Sequence, residues 1–269
     1  MEKLTFYHPG KDFPSLSVTG DWCSRDCKHC QGHFLRNMVD VSSPKKLKNT
    51  AERLFSEGAK GFLLSGGFDV DGKVPLEGYY EVLKDIKQDT DLLINVHTGL
   101  LDEDMVYNLK RAGIDTVSYD MIGSKETIKE VYGLNATPKD FEKGFRLLIK
   151  NEIDVVPHIT LGLHGGHLDG EHRALKMVKK CDRIIINSLI PSLWGKSVSD
   201  EEILKFIETA SDRTDAELVL GCMRERGRSR LEIKAVKKGI QAIVNPSKDT
   251  RNWVKDRYVV IERDLCCCF

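Results

Sequence analysis

The sequence predicts an α/β protein, built as a single (β/α)8 barrel of the TIM type, complete or nearly so. Two observations predict this class. Short β-prone apolar runs alternate with longer segments of helical periodicity, a pattern typical of parallel βαβ units. The length of 269 residues suits one such barrel, for which roughly 250 residues are typical. We expect residues 1–255 to form the barrel and residues 256–269 a cysteine-rich C-terminal tail. An open barrel of six strands is the alternative.

The predicted elements follow one another in regular order. Strands are expected near residues 15–19, 61–65, 91–96, 114–119, 153–161, 183–190, 216–221 and 240–244. Helices are expected near residues 44–58, 76–88, 102–112, 137–151, 171–180, 199–211 and 230–238. Ser43-Pro44 supplies the first helix with a cap and a first-turn proline. Thr137 and Asp140 have the spacing of a capping box at the start of another helix.

Composition excludes several classes of partner. Lys+Arg and Asp+Glu both total 41, so no overall positive field favours nucleic acid or an anionic membrane. No apolar run approaches the roughly 20 residues that cross a bilayer, and Met1–Thr5 lacks the pattern of a signal peptide. We therefore expect a cytoplasmic protein, in which thiols stay reduced. Its eight cysteines then indicate metal binding or redox chemistry before disulfides.

Three cysteines follow the first predicted strand, in the segment Cys23-Ser24-Arg25-Asp26-Cys27-Lys28-His29-Cys30. Thiolates favour iron–sulfur clusters or zinc over hard cations. A [4Fe–4S] cluster normally takes four cysteines, so three would leave one iron open to a substrate. The alternative is a zinc knuckle, because His33 follows Cys30 by three residues and could complete a Cys3His set. Chemistry in such barrels lies just past the carboxyl ends of the strands, where this segment stands.

The C-x3-C-x2-C spacing at this place resembles the signature of the radical S-adenosylmethionine (radical SAM) superfamily, most closely its biotin synthase and lipoyl synthase branch. The resemblance extends from the first strand to about residue 247. It implies a [4Fe–4S] cluster on Cys23, Cys27 and Cys30, and SAM bound at the open iron and cleaved to a 5′-deoxyadenosyl radical. It also implies an electron donor such as ferredoxin or flavodoxin.

The same resemblance implies a set of SAM-binding positions just past the strand ends. His29 occupies the place before the third cysteine, near the adenine in the family, and Asp120 stands where the family often contacts the ribose. Phe68, followed by Asp69, replaces the acidic residue that usually follows the Gly-Gly motif. The other implied cofactor-binding residues are Ser65, Gly66, Gly67, Asn95, His97, His158, Thr160 and Arg224.

Two pairs among these residues have a common orientation. Asn95 and His97 share one side of a strand, as do His158 and Thr160, because the side-chain period of a strand is two. Ordinary polar groups at a barrel mouth explain such residues equally well. Four histidines between residues 158 and 172 make a second metal site a further hypothesis, although loop histidines beside glycines are usually exposed.

Five cysteines remain outside the motif. Cys181 precedes its strand and is expected to be a buried free thiol. Cys222 follows the seventh strand, and Cys266, Cys267 and Cys268 nearly end the chain. We expect the tail to fold over the barrel mouth, where these four cysteines would hold an auxiliary iron–sulfur cluster. An oxidation-prone end or a persulfide relay is the alternative.

The resemblance implies an enzyme, and an auxiliary cluster favours sulfur insertion into an unactivated C–H bond. The substrate would be a small acyl chain, free or attached to a carrier protein. The small size and the Gly-Cys-Met-Arg segment at 221–224 also resemble the archaeal-type two-protein lipoyl synthases, so a second radical SAM protein is a candidate partner. Radical SAM chemistry of another kind (cofactor maturation, methylation or rearrangement) and a zinc-stabilised, non-catalytic binding module are the alternatives.

Overall fold

The computed structural model describes residues 2–191 and 194–269. Its strands are β1 (Lys3–Tyr7), β2 (Ser15–Ser17), β3 (Val39–Asp40), β4 (Gly61–Ser65), β5 (Leu93–His97), β6 (Thr116–Asp120), β7 (Val155–Leu161), β8 (Arg183–Ser188), β9 (Glu217–Leu220), β10 (Ile240–Val244) and β11 (Val259–Arg263). Its α-helices are α1 (Pro44–Ser56), α2 (Tyr80–Asp89), α3 (Glu103–Ala112), α4 (Lys125–Glu130), α5 (Pro138–Lys150), α6 (Glu171–Val178), α7 (Asp200–Arg213), α8 (Ser229–Lys237) and α9 (Lys248–Val254).

All strands join one curled sheet in the order β11-β1-β10-β9-β8-β7-β6-β5-β4-β2-β3, and every neighbouring pair is parallel. The α/β class predicted from the sequence is therefore confirmed. The sheet has eleven strands rather than eight. The additional strands are β1, β3 and β11, and the sequence analysis also omitted helices α4 and α9.

Strand β1 was missed because its partners are distant in the chain. It lies between β10 and β11, with Tyr7 opposite both Val244 and Arg263. Such pairing leaves no local sequence signal, since alternation within five residues is too short to separate a strand from a loop. Strand β11 comes from the segment that the sequence analysis assigned to the tail.

Helix starts follow the predicted signals. The Oγ of Ser43 accepts a hydrogen bond from the Lys46 backbone amide (3.3 Å), and Pro44 is the first residue of α1. Thr137 and Asp140 form the expected capping box at α5. Capping satisfies amide groups that have no partner inside the helix, and each cap contributes about 1 kcal/mol.

Two apolar cores lie on opposite faces of the sheet. The larger core packs the outer face of the strands against the helices. The smaller core is enclosed by the curled inner face, where side chains from β1, β7, β8, β9 and β10 surround Cys267 and Cys268. The end of the chain is therefore part of the barrel interior.

Within the described ranges, no helix combines the length and the apolar character that crossing a membrane requires.

Candidate active site

The cysteine loop, residues 18–38, runs between β2 and β3. The Sγ of Cys23 accepts hydrogen bonds from the backbone amides of Phe68 (3.2 Å) and Arg25 (3.4 Å). Burial, and then the negative charge of Cys23 and Cys30, raises the pKa of Cys27 to about 12. Thiols grouped in this way repel one another when ionised, and a bound metal would remove that repulsion. The donor set therefore suits an iron–sulfur cluster.

The geometry argues against a zinc knuckle in this loop. In the described part of the chain, no three ligand atoms from this loop all lie within 4.8 Å of one another, and this holds for Cys23, Cys27, Cys30 and His33. A cubane binds each cysteine to a different iron and so separates its ligands further than a single ion does. His33 is exposed and its ring packs against Phe34, with 5.6 Å between ring centroids. The spacing thus favours a cluster over one zinc ion.

The Gly-Gly segment after β4 supports the cysteine loop. A Cβ on Gly67 would lie 2.0 Å from the Trp22 carbonyl oxygen and 2.7 Å from the Cα of Cys23. The Gly67 amide also donates to the Oγ1 of Thr19 at 2.7 Å. The absence of a side chain at Gly67 therefore allows two backbone segments to approach closely. Asp69 uses its carboxylate in a local turn, accepting from the Asp71 amide.

A hydrogen-bonded chain of three side chains lies on the inner face below the loop. The Oγ of Ser65 lies 3.1 Å from Nδ1 of His97, and Nε2 of His97 lies 3.1 Å from the Asp120 carboxylate. Burial opposes both charges, but the Asp120 carboxylate still raises the pKa of His97 above its ordinary value. In turn, the charge and hydrogen bond of His97 hold the pKa of Asp120 below its ordinary value despite burial. The two groups form an ion pair that can make hydrogen bonds with polar groups of a ligand.

His29 brings a neutral ring to this region. Burial lowers the pKa of His29 to about 4, although the Asp120 carboxylate opposes this shift. Its Nδ1 is buried without a hydrogen-bond partner among the described residues. The ring packs against Tyr132, with 4.8 Å between centroids. A buried polar atom without a partner is costly, so it indicates a place where a bound cofactor completes the site. Tyr132 was not predicted as a site residue, because neither α4 nor the loop that follows it was expected from the sequence.

Residues of β7 and β8 line the next part of the inner face. The Nδ1 of His158 lies 3.0 Å from the Val156 carbonyl oxygen. Thr160 is buried and pairs in register with Asn187. The Oδ1 of Asn187 is buried and has no hydrogen-bond partner in the described part of the chain. His158 and Thr160 thus share a strand face, as their spacing predicts.

Arg224 is engaged in a buried ion pair. Its Nη2 donates to Oε1 of Glu232 at 2.7 Å, and both side chains are at most 4% exposed. The other carboxylate oxygen of Glu232 accepts from the Oγ1 of Thr250 at 2.7 Å. The Arg224 side chain therefore connects the loop after β9 to helices α8 and α9.

The tail enters the barrel instead of folding over its mouth. The Tyr7 hydroxyl donates to the Phe269 carbonyl oxygen (2.6 Å), and Arg183 donates to the Cys267 carbonyl oxygen (3.1 Å). The Nδ2 of Asn95 donates to the Sγ of Cys266 at 3.3 Å. Polar groups on the inner face bind the backbone and thiols of the tail. The expected position over the mouth was therefore wrong.

Two of the four cysteines predicted to bind an auxiliary cluster lie close to a histidine. The Sγ atoms of Cys267 and Cys268 and a ring nitrogen of His158 all lie within 4.8 Å of one another. Contacts with the thiols of Cys267 and Cys268 lower the pKa of Cys266 well below its ordinary value. Part of the Cys222 side chain is solvent-accessible. Neighbouring protein atoms nevertheless displace water from the thiol, and this loss of solvation, followed by the negative charge of Cys266, raises the pKa of Cys222. Cys222 is not a member of the close group.

A cavity of about 1050 Å³ opens at the other end of the barrel. It is lined by the amino ends of strands, including Arg183 and Glu217, and by Cys268 and Phe269 of the tail. The tail thus separates this basal cavity from the face that carries the cysteine loop.

Comparisons with known proteins assign the chain to a class. The family model of the radical SAM superfamily matches residues 17–178, more than half of the chain. Biotin synthase of Psychrobacter arcticus is 22% identical over 199 residues, covering 69% of this chain and 51% of that enzyme. The chain therefore spans about half the length of this relative.

Solved structures share the fold at low sequence identity. The crystal structure of HydG, a maturase of the [FeFe]-hydrogenase, has a TM-score of 0.67 and 14% identity, covering 96% of this chain and 65% of that one. Methylornithine synthase (PylB) has a TM-score of 0.61 and 12% identity, covering 90% of this chain and 72% of that one. The two solved structures show that the chain shares their fold, and the family match shows that the chain belongs to the radical SAM superfamily, which uses a [4Fe–4S] cluster and SAM.

Proposed function

We propose that this radical SAM enzyme inserts sulfur into an unactivated C–H bond of a small acyl chain, free or attached to a carrier protein. The observation that carries the proposal is the presence of three thiols, from Cys266 to Cys268, inside the barrel. A free thiol readily gives a hydrogen atom to a carbon radical. Thiols in this interior would therefore quench the chemistry unless they bind the metal that supplies sulfur.

Cys23, Cys27 and Cys30 are the proposed ligands of the [4Fe–4S] cluster. When bound, the cluster and SAM supply a 5′-deoxyadenosyl radical that removes hydrogen from carbon. Two backbone amides, those of Arg25 and Phe68, donate hydrogen bonds to the Sγ of Cys23 and so hold this side chain in the loop. The half-buried loop limits the access of water to the reaction.

The proposed SAM site lies between the cysteine loop and the inner face of β4 to β7. The Asp120 carboxylate can accept hydrogen bonds from ribose hydroxyls, and His97 holds that carboxylate in place. The unpartnered Nδ1 of His29 supports a contact with the adenine side. Ser65, Gly66 and Gly67 would face the amino acid part of SAM, while Asn95, His158 and Thr160 would face the interior. Arg224 is bound to Glu232, so we propose that it positions the Cys222 loop without contacting a cofactor.

The proposed reaction balances with named participants. For each insertion the substrate carbon would lose one hydrogen atom to the 5′-deoxyadenosyl radical, which becomes 5′-deoxyadenosine, and would gain one bond to sulfur. Cys266, Cys267 and Cys268 would hold an auxiliary iron–sulfur cluster, which would supply the sulfide and accept on its iron the one electron released when the carbon–sulfur bond forms. A ferredoxin or flavodoxin supplies the electron for each SAM. A second radical SAM protein is a candidate partner for a further insertion.

The test compares products from matched variants prepared without air. Wild type, the Cys266→Ser/Cys267→Ser/Cys268→Ser variant and a Cys181→Ser control are given SAM, dithionite and acyl chains on a carrier protein. We expect wild type and the control to add sulfur to the chain, measured as a mass gain. We expect the triple variant to form 5′-deoxyadenosine without adding sulfur. Equal sulfur addition by the triple variant, or a wild-type product that is only rearranged or methylated, would contradict the proposal.

A further inference from the structure

We propose that His158, Cys267 and Cys268 bind one metal ion inside the barrel, a thiophilic divalent ion such as iron or zinc. The three side chains come from β7 and from the end of the chain, which are more than 100 residues apart in the sequence. Within residues 2–191 and 194–269 they are the one group of three His, Cys, Asp or Glu side chains whose ligand atoms all lie within 4.8 Å.

The spacing suits a single ion. Thiolates on one tetrahedral ion lie about 3.8 Å apart, given metal–sulfur bonds of about 2.3 Å. A group within 4.8 Å needs only small side-chain rotations to reach that separation. Cys267 and Cys268 are 5% and 3% exposed. Two adjacent buried thiols beside an imidazole form a soft donor set that excludes calcium and magnesium.

The tautomer implied by the hydrogen bond of His158 suits this role. A carbonyl oxygen only accepts hydrogen bonds, so Nδ1 of His158 must carry the proton that it shares with Val156 at 3.0 Å. The neutral ring then has its free lone pair on Nε2, the atom that would bind the ion. Metal-binding histidines in proteins usually donate their other ring N–H to a carbonyl or carboxylate in this manner.

Further groups support the thiolates. The Ser118 hydroxyl lies 3.3 Å from the Sγ of Cys268 and can donate to it, and the Asn95 amide donates to the neighbouring Cys266. Apolar side chains, among them Val156 and Ile185, enclose the group. The basal cavity reaches Cys268 and gives an ion a path of entry. The three protein ligands leave a fourth position for Cys266, sulfide or an exogenous ligand.

This inference goes beyond the proposed function, because the ligand set stands whatever reaction the enzyme performs. In a sulfur-inserting enzyme the ion is an iron of the auxiliary cluster, and Cys222 is not among its ligands. In a radical SAM enzyme of another chemistry the same ligands hold a single ion.

The experiment uses the full-length protein reconstituted with four equivalents of iron and sulfide, enough for the first cluster only, and then given one equivalent of Co²⁺, whose X-ray absorption edge is separate from that of iron. We expect at least two sulfur neighbours and one imidazole nitrogen around cobalt. His158→Ala should remove the imidazole signal and weaken cobalt binding more than about tenfold, whereas Cys267→Ser and Cys268→Ser should each remove one sulfur. His164→Ala and Cys222→Ser serve as controls that keep the wild-type spectrum.

Each variant must retain the absorption of the first cluster, which shows that it has folded. A cobalt environment of oxygen and nitrogen alone, or one that changes with Cys222→Ser but not with His158→Ala, overturns the inference. None of these readouts requires turnover, so failure of sulfur insertion leaves the outcome interpretable. Iron and sulfide analysis of a separate preparation, reconstituted with excess iron and sulfide and without cobalt, then distinguishes a cluster iron from a single ion.

Discussion

The hydroxyl of Ser118 and the thiol of Cys268 lie 3.3 Å apart, although 150 residues separate them in the chain. Ser118 is in the middle of β6, so this contact places the end of the protein at mid-depth in the barrel. The tail thereby forms part of the interior surface of the curled sheet. Mutation of Tyr7, which donates a hydrogen bond to the tail, tests how the tail is held in this position.

Tyr7→Phe should loosen the tail. The variant leaves the Phe269 carbonyl without its 2.6 Å, partly buried hydrogen bond, and losing such a bond costs about 0.5–1.5 kcal/mol. We expect alkylation of Cys267 and Cys268 in the apoprotein to accelerate on the order of tenfold, as followed by mass spectrometry. Tyr107→Phe, at a residue 60% exposed, should leave the rate unchanged. Equal rates in the two variants would show that Tyr7 does not hold the tail.

Gly67→Ala should impair the first cluster. The added Cβ would collide with the Trp22 carbonyl oxygen at 2.0 Å, so the cysteine loop must move away from β4. We expect iron incorporation to fall below half of the wild-type level under anaerobic reconstitution. Gly78→Ala is the control, because Gly78 has a φ of +86° and open space around it. That variant should lose about 1 kcal/mol of stability but keep its iron. Normal iron content in Gly67→Ala would refute the packing argument.

Arg224→Met should destabilise the fold. It leaves Glu232 buried without its cationic partner, and breaking such a pair typically costs about 3–5 kcal/mol. Denaturant unfolding measures the loss. Arg230→Met removes an exposed arginine at the start of α8 and should cost less than about 1 kcal/mol. A small effect of Arg224→Met on stability with a large effect on SAM cleavage would instead support a direct contact with the cofactor.

The pair of His97 and Asp120 should give a pH-dependent contribution to stability. The raised pKa of His97 means that its contribution is complete below the unfolded-state value of 6.5 and is lost as pH rises through the folded-state value. The lowered pKa of Asp120 means that its contribution is present above the unfolded-state value of 3.8 and is lost as pH falls through the folded-state value. The ion pair is therefore most stabilising between these limits.

The measurement is the difference in Tm between wild type and His97→Gln. We expect this difference to be larger at about pH 5.5 than at about pH 9. His33→Gln, at an exposed histidine, should follow wild type at both values. A difference that grows as the pH rises would show that His97 is not held as a cation by Asp120.

Local patterns predicted the strands that carry several candidate site residues. Asn95, His158 and Thr160 lie in strands expected from the sequence, and His97, expected just past residues 91–96, is the last residue of β5. Alternation within a strand determines which of these side chains share a face. The position of the cysteine loop after an early strand followed from the order of elements alone. These features depend on neighbours in the sequence, which is why the sequence was sufficient.

Features that depend on distant partners were not predictable in the same way. The place of β1 between β10 and β11 depends on pairing with residues more than 230 positions away. The resemblance implied that Arg224 contacts a cofactor, whereas its buried ion pair with Glu232 depends on the packing of α8 and is not visible in the sequence. The tail has no periodic pattern, and its path depends on hydrogen bonds from Tyr7, Asn95 and Arg183.

The central claim is that Cys23, Cys27 and Cys30 hold a cluster with one iron open to SAM. The most direct test is 5′-deoxyadenosine formation by Cys27→Ala after anaerobic reconstitution, with dithionite as the reductant and Cys181→Ala as the matched control. The account predicts that the control forms 5′-deoxyadenosine at the wild-type rate and that Cys27→Ala forms essentially none. Formation by Cys27→Ala at the wild-type rate would contradict it.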